Sequence, residues 1–560
     1  MKRIKGPLII IGLGLIILLI SQTMEWRWDL TGDKRFSLST PVESLVEEYG
    51  EIVLIESLFK GDFPSNYTRL EESVEDLLRR MRKINPRINY RLIDPLDGST
   101  EEVSSTMKQF SEMGLTPFPI RYESDREFKA VQAFPYVVFT VGQKNVVVNI
   151  LEANTVGENT EAGINKAIAQ LEYKFANALK KLTQDKRRNI GILTGHGEFG
   201  RNETLFMERE LRRYYTTSRI DLDSVGFIPD EIDLLMVLAP EKTFSERHLF
   251  YIDEYVARGG SIIWMVERFK IKDDSLNTPD GFTPIINDPG LESLFFKYGV
   301  RFNNNLVVDL ECSNTSIVTA TPSGQPQIEK YPWFYHILAQ PSPDHIITNN
   351  LDRVNMFYPS SIELLPVNGV EQTTLLASSP RSRVQPYPFV LTFEILKYPV
   401  REDEFNAGPQ PVAVIEEGTF PSYFQNRLPE EYRQALIAAG KPSNLEPKNA
   451  LQIFISDADF SITRFTPQSG EPLPIGYNMG ERSLYSGNES FLLNMVEYAM
   501  EDGDILMAKS KERKLYLLDD TKANNEKGFW RSFNVLLPLI ILLIFGFAFN
   551  FYRRYKFTRR

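Results

Sequence analysis

Fifteen consecutive residues without a charge, Val535–Phe549 (VLLPLIILLIFGFAF), are closely followed by the basic run RRYKFTRR. With Phe533, Asn534, Asn550 and Phe551 on its flanks, the stretch gives about 19 residues or roughly 28 Å of helix, close to the hydrocarbon thickness of a bilayer. Trp530, Phe533, Phe551, Tyr552 and Tyr555 stand where ring side chains collect at membrane interfaces. Arg553, Arg554, Lys556, Arg559 and Arg560 mark this end as cytoplasmic by the positive-inside rule. A buried helix of a soluble core would need a protein sheath on every side and would leave the basic tail unexplained. The spacing predicts a transmembrane helix over 533–551.

A second apolar stretch stands at the other end, where MKRIK precedes Gly6–Ile20 (GPLIIIGLGLIILLI), and 6–24 is predicted as its mate. A cleaved signal peptide also fits a basic start and a short apolar run, but no A-x-A-like site follows, which favours a retained anchor. Lys2, Arg3 and Lys5 place this end in the cytoplasm as well. Two spans with both termini inside put the bulk of the chain on the far side of the membrane.

Composition describes that bulk. The chain has 560 residues and a net charge of -11, and taking away the three and five basic residues of its two ends leaves -19 between them. So acidic a middle repels phosphates and argues against nucleic acid as a partner. Cys312 is the single cysteine, which excludes an internal disulfide and a multi-cysteine metal site.

Between the anchors the periodicities predict α/β architecture throughout. Over 41–160, a helix from Pro41 to Tyr49 capped by Ser39 or Thr40 is followed by the strand Ile52–Phe59 and a helix with Leu70, Val74, Leu77, Leu78 and Met81 on one face. A strand at Asn89–Ile93 and a hairpin at 136–150, turning at Gly142 and Gln143, complete a domain similar to thioredoxin, without the C-x-x-C that redox work requires. Ile164, Ile168, Leu171, Phe175, Leu179 and Leu182 form a helical stripe leading into a doubly wound α/β domain over 161–300. Its central strands are predicted at Ile190–Thr194, Ile232–Leu238 and Ser261–Val266. A second α/β domain is expected over 301–510, with strand candidates at 306–309, 373–378, 411–417 and 450–460, and with Asn488 capping a helix over Ser490–Met500.

In doubly wound sheets ligands bind at the carboxyl ends of the strands, and the first central strand ends in ILTGHGEFG. Gly195 and Gly197 permit a sharp turn that presents His196 and Glu198, a base beside a carboxylate, as candidate catalytic, ligand-binding or partner-binding residues. Against chemistry stand the missing Ser or Cys of a nucleophile elbow and the lack of metal-ligand spacing among His248, His336 and His345. The plainer reading is that the glycines serve the turn and the polar pair caps a helix or binds a partner. Asp457 and Asp459 are a weak metal candidate, since two carboxylates two residues apart also occur at ordinary strand ends. No cofactor is expected. A phosphate-binding G-x-x-x-x-G-K-[ST] is absent: its nearest fragment, Gly440-Lys441-Pro442-Ser443, has Ala435 and Pro442 at the decisive positions.

Taken in order, DLTGDKRFSLS, ILTGHGE, IDLLMVLAP, YIDEYVARGGSII, AVIEEGTFPSYF, ISDADF and NESFLLNMVEYAM between the two anchors resemble GldG. That family comprises gliding-motility-associated auxiliary, substrate-binding-like components of bacterial ABC transporters. Its central region is similar to a domain shared with an intraflagellar-transport protein and, distantly, with class I glutamine amidotransferases, whose catalytic cysteine and histidine have no counterpart here. The resemblance implies a non-enzymatic accessory subunit that works with a multispan permease and a nucleotide-binding ATPase subunit. A membrane-tethered hydrolase using the GHGE loop is the alternative.

Overall fold

The structure, a computed structural model, describes residues 37–500, apart from short stretches at 113–114, 116, 125–126, 152–159, 184–186, 272–274, 277–279, 321–326, 350, 426, 443–444 and 468, and residues 520–558. The expected span at 6–24 lies outside the described residues. By contact the chain divides into two compact units, residues 1–511 and 512–560.

Among the described residues the first unit begins with α1 (Thr40–Glu48), β1 (Val53–Ser57), α2 (Ser65–Ile84), β2 (Ile88–Leu92), α3 (Thr100–Glu112) and a hairpin of β3 (Phe118–Ser124) and β4 (Glu127–Ala133). A second hairpin, β5 (Tyr136–Val141) and β6 (Lys144–Asn149), leads to α4 (Thr160–Thr183). Strands β2-β1-β5-β6 form one sheet, with β1 and β2 parallel and β5 antiparallel to β1. The apolar stripe of α2 and the stripe of α4 both bury into the same core, as the 3.6-residue spacing demands. Gly142 turns the second hairpin at a φ of +57°, a conformation that glycine adopts without cost. Ser39 precedes α1 but does not cap it; its hydroxyl donates to Glu172 of α4 at 2.6 Å.

A ten-stranded sheet makes up most of the remainder. Its parallel half is β7 (Asn189–Thr194), β8 (Thr216–Asp221), β9 (Ile232–Leu238), β10 (Ser261–Met265) and, much later in the chain, β22 (Asn449–Ile455). Helices α5 (Leu205–Leu211), α6 (Leu222–Val225) and α7 (Glu246–Ala257) connect the first four of these. Between β10 and β22 the chain adds the ribbon β11 (Phe269–Lys270) and β12 (Ile285–Ile286), α8 (Glu292–Tyr298), β13 (Val300–Phe302) and β14 (Asn305–Asp309). Next come β15 (Cys312–Ala320), β16 (Gln327–Pro341), β17 (Val354–Phe357), β18 (Ile362–Leu364), β19 (Val370–Ala377), β20 (Ser382–Pro386) and β21 (Pro411–Thr419). Four of them, β21, β19, β16 and β15, extend the sheet antiparallel beyond β22. The full order is β15-β16-β19-β21-β22-β10-β9-β7-β8, with β17 on β16. Strands from both sides of residue 300, the expected domain boundary, therefore share one sheet: β22 lies directly beside β10.

Side chains alternate across this sheet with the strand period of two. Leu234, Met236 and Leu238 join a core with Met207 and Leu211 of α5 and Phe491, Leu492, Met495 and Val496 of α10 (Ser486–Ala499). Leu235 and Val237 face the opposite core, which holds Phe250, Ile252 and Tyr255 of α7, Leu294 and Tyr298 of α8 and Leu436 of α9 (Glu430–Ala438). Asn488, expected as a cap, instead sits two residues inside α10 and is buried. Its amide donates to the carbonyls of Asn355 and Phe460 at 2.8 and 2.9 Å, a demand that a long-range core contact imposes and local sequence does not show.

The second unit contains α11 (Asp520–Thr558), 39 residues in one helix, about 58 Å long. Its segment Lys527–Lys556 is long and apolar enough to cross a membrane, and none of its apolar window is covered by protein. Pro538 lies within the helix, and the chain runs on through it.

Candidate functional site

The sheet order reverses at β7: the chain leaves β7 for β8 on one side and returns to β9 on the other. The loops after β7 and β9 meet there. Gly195 and Gly197 take φ values of +114° and +81°, so the strand turns sharply and the carbonyl of His196 accepts the N–H groups of Glu241 and Lys242 at 2.8 and 2.7 Å. Phe199 N–H donates to Leu238 O at 3.1 Å and ties the loop to β9 a second time.

His196 is turned inward, 5 % exposed, with its ring stacked on Phe244 at 3.7 Å. Glu198 folds back over it: one carboxylate oxygen accepts the His196 backbone N–H at 2.6 Å, and the other lies 3.2 Å from Nδ1. The other ring nitrogen, Nε2, is 2.8 Å from Nδ1 of His248, whose Nε2 is 3.1 Å from Asp223 Oδ1. Glu198, His196, His248 and Asp223 thus form a polar chain with a buried carboxylate at one end and one that is 71 % exposed at the other.

Three contacts in this chain need three protons, and two neutral imidazoles bring two. Glu198 is buried and takes the Nδ1 proton of His196; the contact left without a proton falls at Asp223, which also has Arg247 Nη2 at 3.2 Å. Burial, and next the neighbouring His196, hold the pKa of His248 below the usual histidine value, although Asp223 works the other way. Both nitrogens of His196 are engaged, so its imidazole presents no lone pair to a substrate without first breaking the chain.

The sequence-predicted residues Gly195, His196, Gly197 and Glu198 are together in this loop, whereas His248, Asp223 and Phe244 have no sequence spacing that announces them. His248 stands on the first turn of α7, where Ser245 Oγ accepts its backbone N–H at 3.2 Å. An N-cap serine before an apolar helix was the one available signal.

Asp457 and Asp459 lie at the carboxyl end of β22, where Glu267, just past β10, joins them. Asp457 Oδ2 accepts Phe357 N–H at 2.7 Å, and Glu267 Oε1 accepts the N–H groups of Ala458 and Asp459 at 2.5 and 3.3 Å. Burial, then the charge of Asp459, push the Asp457 carboxyl up to about 8, and burial, then Asp457, push that of Glu267 well above its ordinary value. Among the described residues no three His, Cys, Asp or Glu side chains are grouped so as to hold a metal ion. Lys441 of the glycine-lysine fragment pairs with Asp230 and Glu254 at 2.9 and 3.1 Å, a structural tie between α9 and α7.

Comparison with known proteins finds similar families, a similar protein and a similar solved structure. Residues 32–140 match a domain of unknown function. An uncharacterized protein of Borreliella burgdorferi is 22 % identical over 370 residues, 64 % of this chain and 66 % of that protein, a little under two thirds of its length. The solved mmIFT52 N-terminal domain is similar over 56 % of this chain and 97 % of its own, at 11 % identity and a TM-score of 0.27, too low to argue from. The family described as "ABC-type uncharacterized transport system" matches residues 187–495, from β7 through most of α10 and so across the loop and both halves of the large sheet. That match takes in more than half of the 560 residues, and the chain belongs to this family of ABC transport system auxiliary proteins.

Proposed function

We propose that the protein is a non-enzymatic accessory subunit of a bacterial ABC transporter of the GldG type, associated with gliding motility and held in the inner membrane. Its first domain is read as thioredoxin-like and its large sheet as doubly wound. Both are placed on the periplasmic side as a scaffold or substrate-binding module, with the termini in the cytoplasm. The observation that carries this reading is α11: an apolar helix with no protein cover, in a chain that matches the ABC auxiliary family. Hydrocarbon is the environment that such a surface fits, and a multispan permease is the partner against which a single helix packs. The hydrolase alternative needs a free nitrogen on His196, and the closed polar chain counts against it.

Purification from solubilised membranes tests the proposal. The full chain should bring down a permease and a nucleotide-binding subunit, and deletion from Val535 onward should abolish that recovery. An intact chain that recovers neither subunit overturns the reading. A hydrolytic turnover lost in a folded His196→Ala variant would establish the enzyme instead.

A further inference from the structure

Past the end of β10, Glu267 turns to the β22 loop, while Val266 and Arg268 face a cavity of about 460 Å³ between the 289–296 segment and the turn after β13. That volume is within the range of small-molecule sites. It opens on the same edge of the sheet as the GHGE loop and is distinct from it. Pro289, which lines the cavity, accepts the N–H of Phe244, the ring on which His196 stacks, at 2.9 Å.

The walls are apolar, formed by Val266, Leu291, Phe295 and Phe302, all buried, and Phe296 stands at the mouth, 58 % exposed. The floor is a cation. Arg268 is 6 % exposed and is held rigidly, its Nε donating to Asn304 Oδ1 at 2.6 Å and its Nη1 to the Asn287 carbonyl at 3.5 Å. Asn287 is itself pinned, its amide donating to the carbonyls of Pro240 and Glu267 at 2.9 Å each. The remaining terminal nitrogen, Nη2, is met by the Glu292 carboxylate, and that side chain is 61 % exposed. A buried guanidinium is thus neutralised by a carboxylate that stands mostly in water and is free to leave. Of the two arginines that line the cavity, Arg301 is paired with Glu363 at 2.9 Å, so Arg268 is the cation that the site offers.

We propose that this cavity binds a small amphiphilic carboxylate, its apolar body among the phenylalanines and its carboxylate replacing that of Glu292 on Arg268. Planar, rigidly held guanidinium matches carboxylate geometry. Glu292 acts as an internal competitor: it keeps Arg268 paired when the site is empty and swings to solvent when it fills. The inference does not depend on the transporter reading, and its test involves no partner subunit.

The test is fluorine NMR of 4-fluorophenylacetate titrated with the full chain in lipid nanodiscs, against empty nanodiscs as reference. Saturable line broadening is expected, reversed by phenylacetate and octanoate and left unchanged by inorganic phosphate. Ser293→Trp, at an exposed position lining the mouth, should weaken binding at least tenfold, and Arg268→Gln should do the same. Glu292→Gln should tighten binding several-fold, because it removes the competitor's charge while keeping its shape. Broadening no greater than that from empty nanodiscs, or unaltered by Ser293→Trp, overturns the proposal, as does a Glu292→Gln variant that binds no more tightly. Melting curves of each variant separate lost binding from lost fold; should Arg268→Gln not fold, the two exposed positions decide the matter.

Discussion

His248 is kept neutral in the folded chain by burial and by His196, so its folded pKa lies below the ordinary histidine value of about 6.5. Below that pH the unfolded chain binds a proton that the folded chain refuses. Stability is therefore complete above about pH 6.5 and is lost as pH falls towards the folded pKa. Thermal melts at pH 7.5, 6.5 and 5.5 should show the decline, and His248→Gln should flatten it. Asp457 behaves in the opposite sense. Its carboxyl, raised to about 8, holds a proton that the unfolded chain releases from about pH 4 upward, so stability falls as pH rises through that window. Asp457→Asn retains an oxygen for the Phe357 N–H and has no charge to bury; at pH 9 it should exceed the parent by about 1–3 kcal/mol in denaturant unfolding, with no gain at pH 4. Of these two sites the sequence displays one half each. GHGE and D-x-D are local strings, whereas His248 and Glu267 reach them across strand neighbours dozens of residues away, and such pairing leaves no local mark.

Elements read differently. The stripes of α2 and α4 and the hairpin β5–β6 were legible because period and turn chemistry are local quantities. Elements with mixed signals were not: β16 (Gln327–Pro341) carries Pro332 within a 15-residue strand, and its pairing with β15 shifts register, so neither alternation nor composition isolates it. The GHGE turn shows what a local signal is worth. At Gly197 the φ of +81° disfavours any side chain, and an added Cβ would stand 3.2 Å from that of Glu241. Gly197→Ala should cost about 1–3 kcal/mol in denaturant unfolding and loosen the tie between the β7 and β9 loops. An unchanged unfolding midpoint would mean that the loop relaxes freely and that its interlock with β9 contributes nothing.

At the scale of the whole molecule the large sheet sets the terms. β10 is buried along four of its five residues and lies between β9 and β22, so a chain cut at residue 300 bares the edge of a central apolar strand. Expressed alone, residues 187–300 should aggregate, whereas 187–500, which keeps β22 on β10 and leaves α4 with the first sheet, should stay soluble; gel filtration of the two fragments distinguishes them, and a monomeric, cooperatively unfolding 187–300 would show two separable halves. Sequence reasoning divides the chain at 300 because composition changes there, but hydrogen bonding between distant strands ignores composition. The second unit raises a different matter. α11 has 13 residues, Asp520–Ser532, ahead of Phe533 in one unbroken helix, about 20 Å of stem beyond an apolar stretch that matches a bilayer. Spanning a bilayer, such a helix has no joint at the lipid boundary, so every change of tilt within the membrane swings its amino end as a lever. A tilt of about 10° moves Asp520 sideways by roughly 6 Å, taking the mid-plane as the pivot. A change of bilayer thickness that the helix meets by tilting is in that way converted into lateral displacement outside the lipid.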